Sequence, residues 1–442
     1  MGFFDRIFNS ELPKMDQPSI KFGRYSDAYK SDEQYLYWDK ALQLFDQKSY
    51  FESYEYFFQY LYNEDEQNVE WSSQSDGLSF KIYQGSKLIT GYINDKVIRV
   101  ETKVAQIKSP GVGFMRRLVE KNYDLKYSRF ALDEDNHIVL IFTSFLIDGS
   151  PFKLYYALKE LSTQADKIDD LLLDEFDVLK EVDSDCKTDI DDTQKQVKYR
   201  FIIDEINKVI SYIDTNKIIV NEYPGGVAYL LLNLCYKLDC LTRPEGFMME
   251  SLERIHRIYF AKNKKMTAEK NAVLVNEFRR LLTRSQEEYF KEMYDVSATF
   301  GITTSVEHAK VVAFIEGEIH NMDWYFENGH PEVALAVPGY IIGYCMFNYA
   351  VPKPVRDLFI LYYQILEFSY FTDLGFKADY VRVGIIQSRA VKKAIGIIEK
   401  RHRKEFPKLD PHTRNLVFKD KVGFAKSFLL MIHQLNLHSS IS

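Results

Sequence analysis

Two amphipathic helices are predicted near the start of the chain, because apolar residues recur there at intervals of three or four. Their stripes are Trp38, Ala41, Leu42 and Phe45 in the first helix and Phe51, Tyr54, Phe58 and Leu61 in the second. Residues at this spacing share one face of a helix, and that face needs a partner to bury it. We find no second copy of the helix pair, so we expect it to pack on the segment that follows.

Five strands are predicted next, over residues 78–83, 88–93, 97–104, 129–133 and 137–146. In the third strand Ile98 and Val100 face one way and Arg99 and Glu101 the other, which predicts a sheet with one covered and one wet face. A helix with Phe114, Leu118 and Val119 on its stripe separates strands three and four, and a helix with Leu154, Leu158 and Leu161 ends the unit. The order α-βββ-α-ββ-α predicts an α+β domain with an antiparallel sheet.

From Gln194 onward helical stripes dominate, and we predict an all-α domain. The predicted helices cover 201–213, 227–241, 248–260, 267–294, 306–326, 358–371, 381–398 and 422–435. Residues 333–352 carry no charge and are long enough to cross a bilayer, but Pro338-Gly339 interrupts them. We therefore expect one short helix up to Val337 and a second, buried helix after Pro338.

Composition indicates how many domains the chain can form and in which cellular compartment we expect it. The 442 residues are 46% hydrophobic and 15% aromatic, enough for two domains with large cores. The four scattered cysteines indicate a reducing cytosol, and the first residues, Met1 to Phe8, lack the pattern of a secretory signal. The expected location is cytoplasmic.

Acidic residues are concentrated between Asp166 and Asp192. This segment contains twelve of them and three lysines, which gives a net charge of −9. The whole chain has a net charge of −7, so the remainder is close to neutral. We expect the first part of this segment to continue the preceding helix and the rest to be a solvated linker. The predicted organisation is an extension over 1–32, the α+β domain over 33–175, the acidic linker over 176–198 and the helical domain over 199–442.

No catalytic motif is present, and no cofactor is implied. Glu316 and His320, four apart on a predicted helix, are a weak metal-site candidate, for which a surface ion pair is the simpler reading. A basic patch is predicted at Lys400, Arg401, Arg403 and Lys404. It suits phosphate or an acidic membrane surface. The simpler interpretation is a solvated helix end whose positive charge complements the acidic linker of the same chain. Nucleic-acid and membrane binding are therefore disfavoured.

The segment 78–172 resembles the bacterial YbjN family, whose fold is that of type III secretion chaperones. The resemblance rests on the motifs that begin at Val97, Phe114, Arg129, Ile138 and Leu154, which are VIRVE, FMRRLVEKN, RFALD and two apolar runs. With the preceding helices it covers about 33–172. The helical half has no counterpart in it.

The resemblance implies a non-catalytic, chaperone-like or adaptor protein that binds a protein client and forms a possible homodimer. The candidate contact residues are Tyr83, Tyr92, Ile93 and Phe145. One alternative is a ligand- or metal-binding helical domain with enzymatic activity, which would use Glu316 and His320 or a pocket lined by Tyr340, Tyr344 and Tyr363. The other is nucleic-acid or membrane-surface binding through the basic patch.

Overall fold

The computed structural model describes residues 18–23, 29–64, 66–75, 77–108, 111–182, 186–215, 217–296, 298, 304–377 and 379–438. The start of the chain, on which the absence of a secretory signal was predicted, lies outside these residues. Within them, the buried apolar side chains form two separate clusters. One runs from Ala41 to Leu179 and the other from Ile190 to Leu435, with Phe22 packed on the second.

The first half contains an antiparallel sheet. Its strands are β1 (Val69–Gln74), β2 (Gly77–Gln84), β3 (Lys87–Ile93), β4 (Val97–Ile107), β5 (Arg129–Leu132), β6 (His137–Phe145) and β7 (Leu179–Glu181). Their order is β1-β2-β3-β4-β6-β5, with β7 paired to the last part of β4. The five predicted strands are present. The sequence pattern missed β1, in which only Val69 is buried, so its side chains hardly alternate.

Four helices cover one face of this sheet and are α1 (Asp32–Asp46), α2 (Tyr50–Leu61), α3 (Val112–Asp124) and α4 (Pro151–Glu175). A capping box starts α1, because Ser31 Oγ accepts from the Gln34 N–H and Gln34 Oε1 accepts from the Ser31 N–H. Ser150 caps α4, and Pro151 is its first residue. Each Leu of α4 that is fully buried contributes about 2 kcal/mol of hydrophobic stabilisation.

The acidic segment differs from the solvated linker that we predicted. Leu179 lies in β7, and β8 (Lys187–Asp189) pairs with β9 (Tyr294–Val296) of the second half. Residues 183–185 lie outside the described residues. The side chains of Leu179, Cys186 and Ile190 are buried. These apolar residues attach the segment to both cores despite its charge.

The second half is largely helical. Its helices are α5 (Asp192–Asp214), α6 (Pro224–Thr242), α7 (Gly246–Phe260), α8 (Thr267–Leu282), α9 (Gln286–Lys291), α10 (His308–Glu327), α11 (Pro331–Asn348), α12 (Lys353–Leu366), α13 (Phe368–Asp373), α14 (Ser388–His402) and α15 (Lys421–His433). Short strands also occur, which the all-α prediction did not include. They are β9, the pair β10 (Thr304–Ser305) and β11 (Tyr349–Ala350), and the hairpin β12 (Val381–Arg382) and β13 (Ile385–Ile386).

A single helix, α11, replaces the two helices predicted around Pro338. The proline removes one helical hydrogen bond, but its neighbours are buried and the helix packs along its length against α6. Gly339 and Gly343 face α6, where a Cβ would clash with Asn233 and Tyr236. This close approach of two helices holds the backbone helical across the proline. Among the described helices, none combines the length and apolar character that a membrane span requires.

Helix α4 joins the two halves. The Lys167 ammonium donates to Glu253 at 2.6 Å and also bonds Glu250, both on α7. The N–H of Gly85, in the β2–β3 turn, donates to the carbonyl of Ala298 at 2.9 Å. The two cores are therefore connected by polar contacts.

Candidate functional site

One face of the sheet has no helix on it among the described residues, and we call it the open face. Its apolar end is formed by Tyr92 on β3, Val97 on β4 and Phe145 on β6. Val97 and Phe145 are cross-strand partners, and Tyr92 lies opposite Arg99, two residues along β4 from Val97. Tyr92 is 46% exposed and Phe145 is 67% exposed. Two aromatic rings left this open on the strands that flank β4 are a candidate contact surface.

The other two predicted contact residues are placed differently. Ile93 is 1% exposed and belongs to the core, because neighbouring residues of a strand point to opposite faces and Tyr92 occupies the open one. Tyr83 is half-buried on the open face, and its hydroxyl donates to Glu70 at 2.7 Å. The open face therefore presents Tyr92 and Phe145, with Tyr83 tied into a polar contact and Ile93 excluded.

A second apolar surface lies on α3, and the sequence reasoning missed it. Val112, Met115, Val119 and Tyr123 are all exposed and follow one another at helical spacing, and we call them the α3 stripe. The predicted stripe placed Val119 with the core residues Phe114 and Leu118; those two are buried, but Val119 points away from them. The spacing of Val112, Met115 and Val119 was a signal for a second apolar face.

The basic patch lies at the end of α14, and carboxylates of the helical half neutralise part of it. Arg401 donates to Asp357 Oδ2 at 2.8 Å, and Arg403 bonds Glu399. His402 Nε2 lies 2.8 Å from the same Asp357 oxygen. Arg401 and Arg403 are thus paired with nearby carboxylates, and binding of phosphate or of a membrane stays a prediction.

Glu316 and His320 do not form a ligand set in the structure. Glu316 Oε1 pairs with His433 Nε2 of α15 at 2.8 Å, and both Glu316 and His320 are exposed on α10. In the described part of the chain, Asp133, Asp135 and His137 are the one group of three or more such residues whose ligand atoms all lie within 4.8 Å of one another. They belong to the β5–β6 turn, where the Asp133 carboxylate already accepts hydrogen bonds from the backbone N–H groups of Asp135 and His137. A local turn accounts for this cluster.

A cavity of about 170 Å³ lies between α5, α6, α11 and α12. Of the three tyrosines predicted to line a pocket, Tyr363 lines this cavity. Tyr340 and Tyr344 belong instead to an aromatic cluster, in which Tyr344 stacks on Phe314 with ring centroids 4.4 Å apart. Tyr340 and Tyr344 lie away from the cavity because they share a face of α11 that is directed toward α10.

A buried ionic triad forms one wall of the cavity. The Lys237 ammonium donates to Glu367 Oε1 at 2.8 Å and also bonds Glu205. The Lys237 side chain is 7% exposed, and burial lowers its pKa, but the two carboxylates outweigh burial and raise the pKa above its usual value. Burial likewise raises the pKa of Glu205, and Lys237 and Lys208 reverse that effect and lower it. The site therefore holds ionised groups away from bulk water.

Comparison of the sequence with models of known protein families and with curated proteins found no match.

Proposed function

We propose that this protein is a non-catalytic, chaperone-like or adaptor protein that binds an extended segment of another protein on the open face. The observation that carries the proposal is the exposure of Tyr92 and Phe145 on the same face of the sheet, on the two strands that flank β4, while helices cover the opposite face. An extended segment suits this surface, because its alternate side chains can contact one face of a sheet.

The order of elements supports a secretion-chaperone-like arrangement for this half. Helices precede the sheet, α3 lies between β4 and β5, and α4 follows β6. This is the order α-βββ-α-ββ-α, with β1 added between the first helices and the three strands, and β7 added after the last helix. The resemblance seen in the sequence covers the same elements, and in such chaperones paired domains hold the client.

Pairing with a second copy is the role that we propose for the α3 stripe. The stripe is nearly symmetric about its midpoint, since Val112 and Tyr123 lie equally far from it, as Met115 and Val119 nearly do. An antiparallel second α3 would therefore place Val112 against Tyr123 of the other copy. Arg116 and Glu120, which pair within the helix at 2.9 Å, flank the same midpoint and would complement their equivalents.

The pairing is tested by measuring molecular mass with light scattering on the full chain. We expect a dimer, and we expect the double substitution Val119→Glu and Tyr123→Glu to produce a folded monomer, because buried unpaired carboxylates are costly. Val383→Glu, which changes a fully exposed valine in the helical half, is the matched control and should remain dimeric. A monomeric native protein would remove this part of the proposal.

Client binding is tested with an array of extended peptides that differ in apolar content. We expect peptides with alternating apolar residues to bind, and Phe145→Ser to weaken them about tenfold, as loss of an exposed aromatic contact of 1–2 kcal/mol predicts. Phe326→Ser removes another exposed phenylalanine ring, on α10, and serves as the control. Equal losses in the two variants, or no binding by any peptide, would contradict the role of the open face.

A further inference from the structure

The cavity in the helical half has the dimensions of a small-molecule site. Its volume of about 170 Å³ is close to that of apolar cavities, on the order of 150 Å³, that hold a benzene molecule. Leu230, Leu335, Ala336 and Leu366 contribute the apolar lining. A ring-sized body therefore fits between these side chains.

A wider cleft of about 520 Å³ adjoins the cavity. The two share Glu205, Leu366, Glu367 and Lys421, so both carboxylates of the ionic triad line the cleft as well as the cavity. The wall of the cleft also includes Val383, whose φ of 49° is rare for a β-branched residue.

Of the charged groups that line the cavity, those shielded from solvent carry more negative than positive charge. Two carboxylates, Glu205 and Glu367, face one ammonium, that of Lys237. Lys208 also bonds Glu205, at 3.3 Å, but its side chain is 70% exposed and water screens its charge. Lys421 is exposed at the entrance as well. The interior of the cavity therefore favours a cation over an anion.

Two polar side chains that line the cavity are available to a ligand. Tyr362 is 2% exposed, and within the described part of the chain its hydroxyl makes no hydrogen bond. Burial, with a contribution from Glu367, raises the pKa of this hydroxyl, so it stays protonated. The side-chain amide of Asn233 likewise has no hydrogen-bond partner among the residues that the structure describes. Buried polar groups are normally paired, so the Tyr362 hydroxyl indicates a bound polar group, and the half-buried Asn233 amide offers a second contact.

We propose that this cavity binds a small protonated amine with an apolar, ring-sized body. The ammonium group lies against Glu367 and the Tyr362 hydroxyl, and the body lies between Leu230, Leu335 and Ala336. The amine adds a second buried positive charge beside the two carboxylates, because Lys208, which also bonds Glu205, is exposed to solvent. Its hydrogen bonds satisfy the Tyr362 oxygen. This site is separate from the open face and does not depend on the function proposed for it.

The test is calorimetric titration of the full chain at pH 7 with three compounds of matched shape. Benzylamine is a cation, benzyl alcohol is neutral and benzoate is an anion. We expect saturable binding of benzylamine, binding of benzyl alcohol weaker by about tenfold or more, as loss of one charged hydrogen bond predicts, and no binding of benzoate. Benzoate binding at least as tight as benzylamine would overturn the ligand class. Absence of binding by all three would overturn the site.

Variants place the binding in the cavity. Leu335→Trp fills the apolar part and should abolish benzylamine binding, while Tyr362→Phe should weaken it about tenfold and leave the ionic triad in place. Glu287→Gln changes an exposed carboxylate of α9 and should have no effect. Circular dichroism confirms that each variant is folded. Equal affinity in Tyr362→Phe and the native protein would contradict the proposed position of the ammonium group.

Discussion

The side-chain amide of Asn233 lies directly against Gly339, so that a Cβ on residue 339 would be 2.1 Å from Asn233 Oδ1. Asn233 is on α6 and Gly339 is on α11, next to Pro338. The absence of a side chain at 339 therefore sets how closely the two helices approach. The same contact forms part of the cavity wall.

Substitution of Gly339 by Ala should destabilise the protein by about 1–3 kcal/mol, because the added methyl group overlaps Asn233 and the packed helices cannot separate freely. Chemical denaturation measures the change in the free energy of unfolding. Gly317→Ala is the control, since Gly317 is inside α10 with no atom within 4 Å of a Cβ. We expect Gly317→Ala to be neutral or to stabilise by about 0.5–1 kcal/mol. Equal effects at both positions would show that the close approach has no energetic consequence.

Removal of the charge of Lys237 should be strongly destabilising. Lys237→Met leaves Glu205 and Glu367 buried without their shared partner, which costs about 3–5 kcal/mol. The measurement is the midpoint of urea unfolding, converted to a free energy. Lys291→Met breaks only an exposed pair with Glu287 and should leave the midpoint unchanged. A loss no larger than that of Lys291→Met would mean that the triad is solvated in the native state.

Because Lys198 is buried, we predict that the free energy of unfolding changes with pH in the alkaline range. Burial lowers the pKa of its ammonium group from 10.5 to about 8, although Asp295 and Glu245 act to raise it. Between pH 8 and 10.5 the unfolded chain holds this proton and the folded chain does not, so stability rises with pH across that window. Lys198→Met should abolish the rise and stabilise the protein at pH 7 by an amount on the order of 3 kcal/mol.

Unfolding free energies measured at several pH values between 7 and 10.5 test this prediction. Lys195→Met is the control, because its ammonium group pairs with the exposed Asp189 at the same end of α5. That variant should retain the slope of the native protein. A native profile that is flat in this range would show that the Lys198 ammonium stays hydrated in the folded state.

Asp166 should contribute to stability through the turn between β2 and β3. Its Oδ1 accepts from the Ser86 N–H at 2.8 Å, and its Oδ2 accepts from Gln84 Nε2 at 3.2 Å. Asp166→Ala removes the acceptor of the buried Ser86 N–H, which should cost about 1–3 kcal/mol by thermal or chemical unfolding. Ser72→Ala removes an exposed hydroxyl contact from β1 and should change stability by less than about 0.5 kcal/mol. Similar losses in both variants would contradict a special role for Asp166.

Local patterns predicted much of the first half. The alternation of Ile98 and Val100 with Arg99 and Glu101 is strong, because β4 has neighbours on both sides and a helix layer on one face. The pattern failed at Ile93, where two adjacent apolar residues gave no indication of which faces the core. It also failed on α3, which has one apolar face toward the core and another toward solvent.

The sequence by itself determined that the chain has an α+β half followed by a largely helical half, because helical and strand periods depend only on residues a few positions apart. Tertiary structure alone decided the ionic triad. Lys237 lies 32 residues from Glu205 and 130 residues from Glu367, and no local period relates such positions. The three side chains meet because apolar faces of α5, α6 and α12 pack together. That packing also leaves the cavity beside them, lined by both carboxylates.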